Sequence, residues 1–239
     1  DVGTNFQSHG KVGAVIFGQE QVIERALGVP VKRFERPMFG YLTREEMVAI
    51  IGEPGDSWLS QRDHALFLLM YNTGARVSEM IGIKVADVVL DPSAACVHLH
   101  GKGRKQRSVP LWRSTVKALR AWLHVNPQFD GASPLLPNRS GHKMTRANVT
   151  LRLVSAVLRA METRPALAKR KVSPHTIRHT TAMHLLQAGV DISVIALWLG
   201  HESPATTHQY VEADLTMKER ALARLHEPDA KIQRYRAPD

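Results

Sequence analysis

SPHTIRHTTAMHLLQAGVDISVIALWLGH, residues 173–201, carries the densest polar cluster in the chain together with two clear helix signals. Ser173 is an N-cap residue, and Pro174 suits the first helical turn, where its missing N–H is no loss. The pattern predicts a helix from there to Gln187, closed by Gly189. Asp191 caps a second helix, which ends at Gly200. On the first helix His175 and Arg178 stand three apart on one face. Both fall in the opening turns, where unpaired N–H groups and the helix dipole favour an anion. His175 and His179 are also four apart, as in a zinc-protease helix, but Thr176 occupies the place of that motif's general-base Glu. The stretch from Leu186 to Gly200 has the form of a helix-turn-helix, yet Ile192, Ile195 and Leu199 read as core positions.

Working upstream, Thr43 and Glu46 form a capping box ahead of Met47, Ile50 and Ile51. A longer helix is expected over Ser60 to Tyr71, with Leu66, Leu69 and Met70 inward and Gly74 just past its end. A short helix carrying Arg76 and Glu79 follows. Then the period changes to two: Val97 and Leu99 alternate with His98 and His100, and Arg107 to Leu111 follows a Gly101-Lys102-Gly103-Arg104-Lys105 turn. That is a β-hairpin with a basic tip, and it lacks the spacing of a P-loop. Further helices are expected over Ser114 to His124 and Arg146 to Met161. Downstream, Ser203-Pro204 opens a short helix reaching Tyr210, and Thr216 with Glu219 caps a last one through Leu225, whose apolar stripe packs at home or on a neighbouring protomer. Near the start, Gln21 to Leu27 forms one short helix, and Pro30 to Gly40 is a linker broken by two prolines. No repeat is present. The fold class is mainly α with a small antiparallel β-sheet.

Composition bounds the function. The 239 residues include 32 Lys+Arg against 22 Asp+Glu, a net charge of +10. Folding a chain of this length buries roughly 70% of its unfolded surface, so neither metal nor disulfide is needed as a staple. The single Cys96 excludes an internal disulfide and points to a reducing, cytoplasmic setting. No apolar run reaches the roughly 20 residues of a membrane helix. A strongly basic chain suggests a polyanionic partner.

Read in order, Thr73-Gly-Ala-Arg-Val-Ser-Glu79, the basic turn 101–105, His175-Thr-Ile-Arg-His179, Leu199-Gly-His201 and Thr206-Thr-His-Gln-Tyr210 resemble the catalytic domain of the tyrosine recombinase (phage-type integrase) family. The resemblance runs from about Tyr41 to Leu225. It implies the catalytic fold of that family and a site-specific recombinase that cleaves and rejoins DNA through a 3′-phosphotyrosyl intermediate. It further implies that Arg76, Lys102, His175, Arg178, His201 and Tyr210 form the catalytic set, with Tyr210 as nucleophile. Glu79 then supports an arginine or forms a plain surface ion pair. The chemistry of exchanging one phosphodiester for another requires no ATP, metal or other cofactor. Tyr210, whose free pKa is about 10, needs a base, for which His175 is the candidate. Lys102 is the candidate acid for the departing 5′-oxygen. Arg104, Lys105, Arg107, Lys169, Arg170 and Lys171 are expected to grip the flanking DNA backbone. His208 has no assigned role.

The resemblance also implies double-stranded DNA as partner and a homotetramer on paired sites, with a monomer allowed off DNA. Residues 1–40 are expected to be the remnant of an N-terminal DNA-binding domain plus linker, and 41–239 the catalytic domain. Two other readings stand beside this one. One is a non-catalytic DNA-binding module built on the helix-turn-helix-like segment. The other is a type IB topoisomerase-like or resolvase-like strand transferase.

Overall fold

The computed structural model describes residues 40–101 and 105–201, all within one compact unit. The expected helices Gln21 to Leu27, Ser203 to Tyr210 and Thr216 to Leu225, most of the 30–40 linker, and the side chains of Lys102, Arg104, His208 and Tyr210 lie outside the described residues.

Helix α1 (Arg44–Ile51) begins at the expected capping box, Thr43 accepting from the Glu46 N–H and Glu46 from the Thr43 N–H. Helix α2 (Trp58–Thr73) starts two residues earlier than the apolar pattern suggested, because Ser57 rather than a later residue caps it. α2 is the central element. Leu66, Phe67, Leu69 and Met70 are fully buried, and its neighbours include α1, α4 (Arg113–His124) and α6 (Pro174–Gln187). The short α3 (Val77–Met80) follows directly, with Arg76 in its N-cap position.

The hairpin of β2 (Cys96–His100) and β3 (Gln106–Pro110) pairs Val97 with Val109 and Leu99 with Arg107. A two-residue strand, β1 (Val88–Val89), adds a third antiparallel member on the far edge of β2. Two residues are too few to show alternation, so periodicity could not reveal it. Val97, Leu99 and Val109 close the core from this side. α5 (Arg146–Met161) has the expected limits and packs on α1. Among the described residues no helix is long and apolar enough to cross a membrane.

α6 begins at Ser173 with Pro174 in its first turn, and α7 (Ile192–Leu199) begins at Asp191, both as the caps require. Ala182, Met183, Leu186, Ile195 and Leu199 make a second core cluster between them. Ile192 is only partly buried, whereas Ile195 and Leu199 are the true inward positions. The helix-turn-helix-like pair therefore packs α7 onto α6 and β3.

Gly74 locks these parts together. It ends α2 in the left-handed conformation, φ 58°, and a β-carbon there would come within 2.5 Å of Leu199 Cδ2 and 3.3 Å of Thr181 Cγ2. Only glycine meets both demands. A Gly74→Ala variant should lose about 1–2 kcal/mol from backbone conformation alone, before the displacement of Leu199 is counted. Urea unfolding measures this, and an unchanged midpoint would contradict the account.

Candidate functional site

The site is built around the C-terminal end of α7. A helix leaves its last carbonyls without helical partners. Here the His201 N–H returns to Ala196 O and the Gly200 N–H to Leu197 O, with Gly200 in the left-handed region at φ 66°. The next three carbonyls each accept from a different arginine. Arg107 Nε donates to Trp198 O at 2.9 Å, Arg178 Nη2 to Leu199 O at 2.8 Å, and Arg76 Nη2 to Gly200 O at 3.1 Å. The negative end of the helix dipole suits three cations.

Each arginine has a second anchor. Arg178, only 7% exposed, also donates from Nη1 to Gly74 O at 2.7 Å, so the left-handed end of α2 presents its carbonyl to the site. Arg76 donates from Nη1 to Glu79 Oε1 at 3.1 Å, and Arg107 spans both Glu79 oxygens at 3.0 and 2.8 Å. The Arg76 backbone N–H takes Glu79 Oε2 at 2.8 Å. The Glu79 carboxylate thus accepts four hydrogen bonds while its side chain is 3% exposed. That burial excludes the plain surface ion pair. Burial alone would push its carboxyl up, but the Arg107 and Arg76 hydrogen bonds and the Arg107 charge outweigh it and hold Glu79 below the usual range.

Three guanidiniums against one carboxylate leave two positive charges in a partly buried corner. His201 follows Gly200 directly and is half-buried beside them. Burial first, then the charges of Arg178, Arg76 and Arg107, push its imidazole down from 6.5 to about 4. His201 is therefore neutral at physiological pH, keeping one N–H to donate.

His175 lies in the first turn of α6, exposed, one turn before the buried Arg178. Arg76, with 40% of its side chain exposed, is the most accessible of the three arginines. The structure thus brings Arg76, Arg178, His201 and Glu79 together, with His175 at the mouth of the same helix. Gly101, the last described residue before the hairpin tip, lies against this group: a β-carbon there would sit 3.5 Å from Glu79 Oε1. The end of β2 thus stands beside Glu79.

The basic residues expected to grip DNA divide. Lys105, Lys169 and Lys171 are exposed. Arg170 instead ties two parts of the domain together, pairing with Glu46 at 3.0 Å and donating to Tyr41 O at 2.8 Å. Arg107 departs furthest, since its side chain is 14% exposed and points inward to Glu79 and α7. The alternation of β3 carried the signal, because Arg107 shares a face with the buried Val109 and pairs with the buried Leu99. The role of the Trp198, Leu199 and Gly200 carbonyls had no sequence signal, since every residue has one. Among the described residues no group of three or more His, Cys, Asp or Glu side chains is placed to hold a metal ion.

Two arginines and a histidine are gathered at one helix end of a mainly helical domain that carries a small antiparallel sheet. The phage integrase family model matches residues 40–217, and the chain belongs to that family. It is 43% identical over 218 residues to the putative integrase/recombinase y4rC of Sinorhizobium fredii, covering 91% of this chain and 65% of that protein. It is 41% identical to the tyrosine recombinase XerC of Neisseria gonorrhoeae, covering 75% of this chain and 56% of that protein. The chain therefore spans about 56–65% of the length of these relatives. Among solved structures, XerA recombinase matches at TM-score 0.66 and 26% identity, covering 92% of this chain and 79% of the other. The XerH site-specific recombinase in its post-cleavage complex with difH substrate matches at TM-score 0.63 and 25% identity, covering 77% and 52%.

The depressed His201 pKa gives a stability test. The folded state binds this proton less readily than the unfolded chain, so stability is complete above pH 6.5 and is lost as pH falls toward about 4. Glu79, whose ordinary value is 4.5, contributes its own loss only lower down. Urea midpoints should therefore fall between pH 7 and 5 in the wild type and fall less in His201→Gln. An equal fall in both would refute the assignment.

Proposed function

We propose that this chain is the catalytic part of a site-specific DNA recombinase, in which residues 41–239 cut and rejoin a strand and residues 1–40 are the remnant of an N-terminal DNA-binding domain plus linker. The observation that supports this most is the convergence of Arg76, Arg178 and His201 on the end of α7, with Tyr210 nine residues further along the chain.

The chemistry follows from the charges. A phosphodiester carries one negative charge, and a second develops on its non-bridging oxygens as the attacking oxygen bonds to phosphorus. Arginines fixed in advance stabilise that charge without reorganising. Their planar forks suit phosphate oxygens better than a lysine would. Neutral His201 supplies an N–H to the same oxygens. An anion in the pocket would draw its pKa back up, so the donor strengthens as charge develops.

The Tyr210 oxygen attacks phosphorus as its proton passes to His175. The bond to the 5′-oxygen breaks, and Lys102 gives that oxygen a proton. One phosphodiester has become a phosphotyrosyl ester plus a free 5′-hydroxyl, and reversal with a 5′-hydroxyl from another strand completes the exchange. The partner is double-stranded DNA, with four copies of the chain on two paired sites. Lys102, Arg104, Lys105, Lys169 and Lys171 lie along the flanking phosphates.

A nicked suicide duplex should trap a covalent adduct that Tyr210→Phe abolishes; an adduct surviving in Tyr210→Phe overturns the nucleophile. Arg178→Ala should lower the saturating cleavage rate by about 10²–10³-fold. Relaxation of supercoiled plasmid without recombinants would instead favour a topoisomerase-like strand transferase. Duplex affinity should fall with salt at a log–log slope of about −0.9 per phosphate contacted, and a flat response would contradict an electrostatic DNA surface.

A further inference from the structure

We propose that Arg107 is a positioning residue for strand cleavage, holding the Arg76–Glu79 pair and the His201 end of α7 to the hairpin stem, and that it does not bind the DNA backbone. The proposal rests on the reading of Arg76, Arg178 and His201 as the phosphate-binding set.

Three observations carry it. First, Arg107 engages three separate acceptors from one planar group: Trp198 O at 2.9 Å through Nε, and the two Glu79 oxygens at 3.0 and 2.8 Å through Nη1 and Nη2. A fork used in this way has its strong directions pointed into the protein. Second, the guanidinium fills the space left by a missing side chain. A β-carbon at Gly200 would stand 2.8 Å from Arg107 Nη1 and 3.1 Å from Cζ, so the residue before His201 is shaped to receive it. Third, the backbone of Arg107 belongs to β3, paired with Leu99 two residues before the basic turn. One side chain thus joins the hairpin stem, the acid that holds Arg76, and the helix end that carries His201.

The chemical consequence is specific. Arg76 alone does not balance a carboxylate as deeply buried as Glu79 and leave a positive charge for substrate. With Arg107 neutralising Glu79, the Arg76 charge is available to a phosphate. Without it, Glu79 either takes up a proton or draws on Arg76, and either outcome loosens the pocket. Among the described residues, the charged and titratable groups facing this centre are Arg76 and Glu79 around α3, Arg107 on β3, Arg178 on α6 and His201 after α7.

The test uses single-turnover cleavage of the nicked suicide duplex by the whole chain, with DNA varied to saturation, for wild type, Arg107→Met and Arg107→Lys. The proposal expects Arg107→Met to lower the saturating rate by about 10-fold or more, with the half-saturating DNA concentration changed less than about threefold. It also expects the acidic limb of the rate–pH profile to move to higher pH, because Glu79 has lost its main partner. Arg107→Lys should recover only part of the rate, since one ammonium cannot serve three acceptors in a plane. The proposal is overturned if Arg107→Met binds DNA more weakly, with its salt slope reduced by about one phosphate, and cleaves at the wild-type rate once saturated. It is equally overturned if Arg107→Lys cleaves at the full rate, and this variant decides the matter should Arg107→Met fail to fold. Failure of the underlying reading looks different: with Arg107 intact, the wild-type chain would then form no adduct, or Arg178→Ala would cleave at the wild-type rate.

Discussion

Three backbone carbonyls at the end of α7, from Trp198, Leu199 and Gly200, accept hydrogen bonds from three arginines that arrive from β3, α6 and the start of α3. Each of these arginines would repel the others, and bringing them together needs a structure that supplies opposing charge. The helix end supplies a partial negative charge through its dipole and its unpaired carbonyls, and Glu79 supplies a full one. The three guanidiniums are thereby held together by the protein itself, and the junction keeps a positive excess.

The rest of the domain positions this junction. α2 runs through the core and ends at Gly74, whose left-handed turn presents a carbonyl to Arg178 and leaves room for Leu199. The cluster of Ala182, Met183, Leu186, Ile195 and Leu199 fixes α7 against α6, so the carbonyls and Arg178 keep their relation. The hairpin closes the core with Val97, Leu99 and Val109, and sends Arg107 into the junction from the same strand face. Core packing and the arginine junction share elements here. A substitution in the apolar cluster would reach the pocket through the tilt of one helix.

Much of this was legible in the sequence, and for identifiable reasons. Ser173, Pro174 and Asp191 carry local cap chemistry, so α6 and α7 could be placed from a few residues. Thr43 and Glu46 did the same for α1. Arg76, Arg178 and His201 stood out through motif order, and the structure gathers them around α7. What could not be read was the scaffold that gathers them, because carbonyl groups have no letter in a sequence. The chemical type of Arg107 points to a DNA-gripping surface charge, whereas the structure turns its guanidinium inward to Glu79 and Trp198 O. The strand alternation that put it beside Val109 was the better guide. Glu79 stood between two readings until its burial and its four hydrogen bonds settled that it is an interior anion.

The junction requires the guanidiniums to be fixed in the free protein. Nitrogen NMR of the DNA-free chain carrying labelled arginine measures this directly, through rotation about the Cζ–Nη bonds and exchange of their protons with water. Arg178 and Arg107, each held by carbonyl or carboxylate partners on two sides, are predicted to show separate, slowly exchanging Nη signals. Averaged, rapidly exchanging signals for both would mean that the guanidiniums are not fixed in the free protein, and would contradict the account.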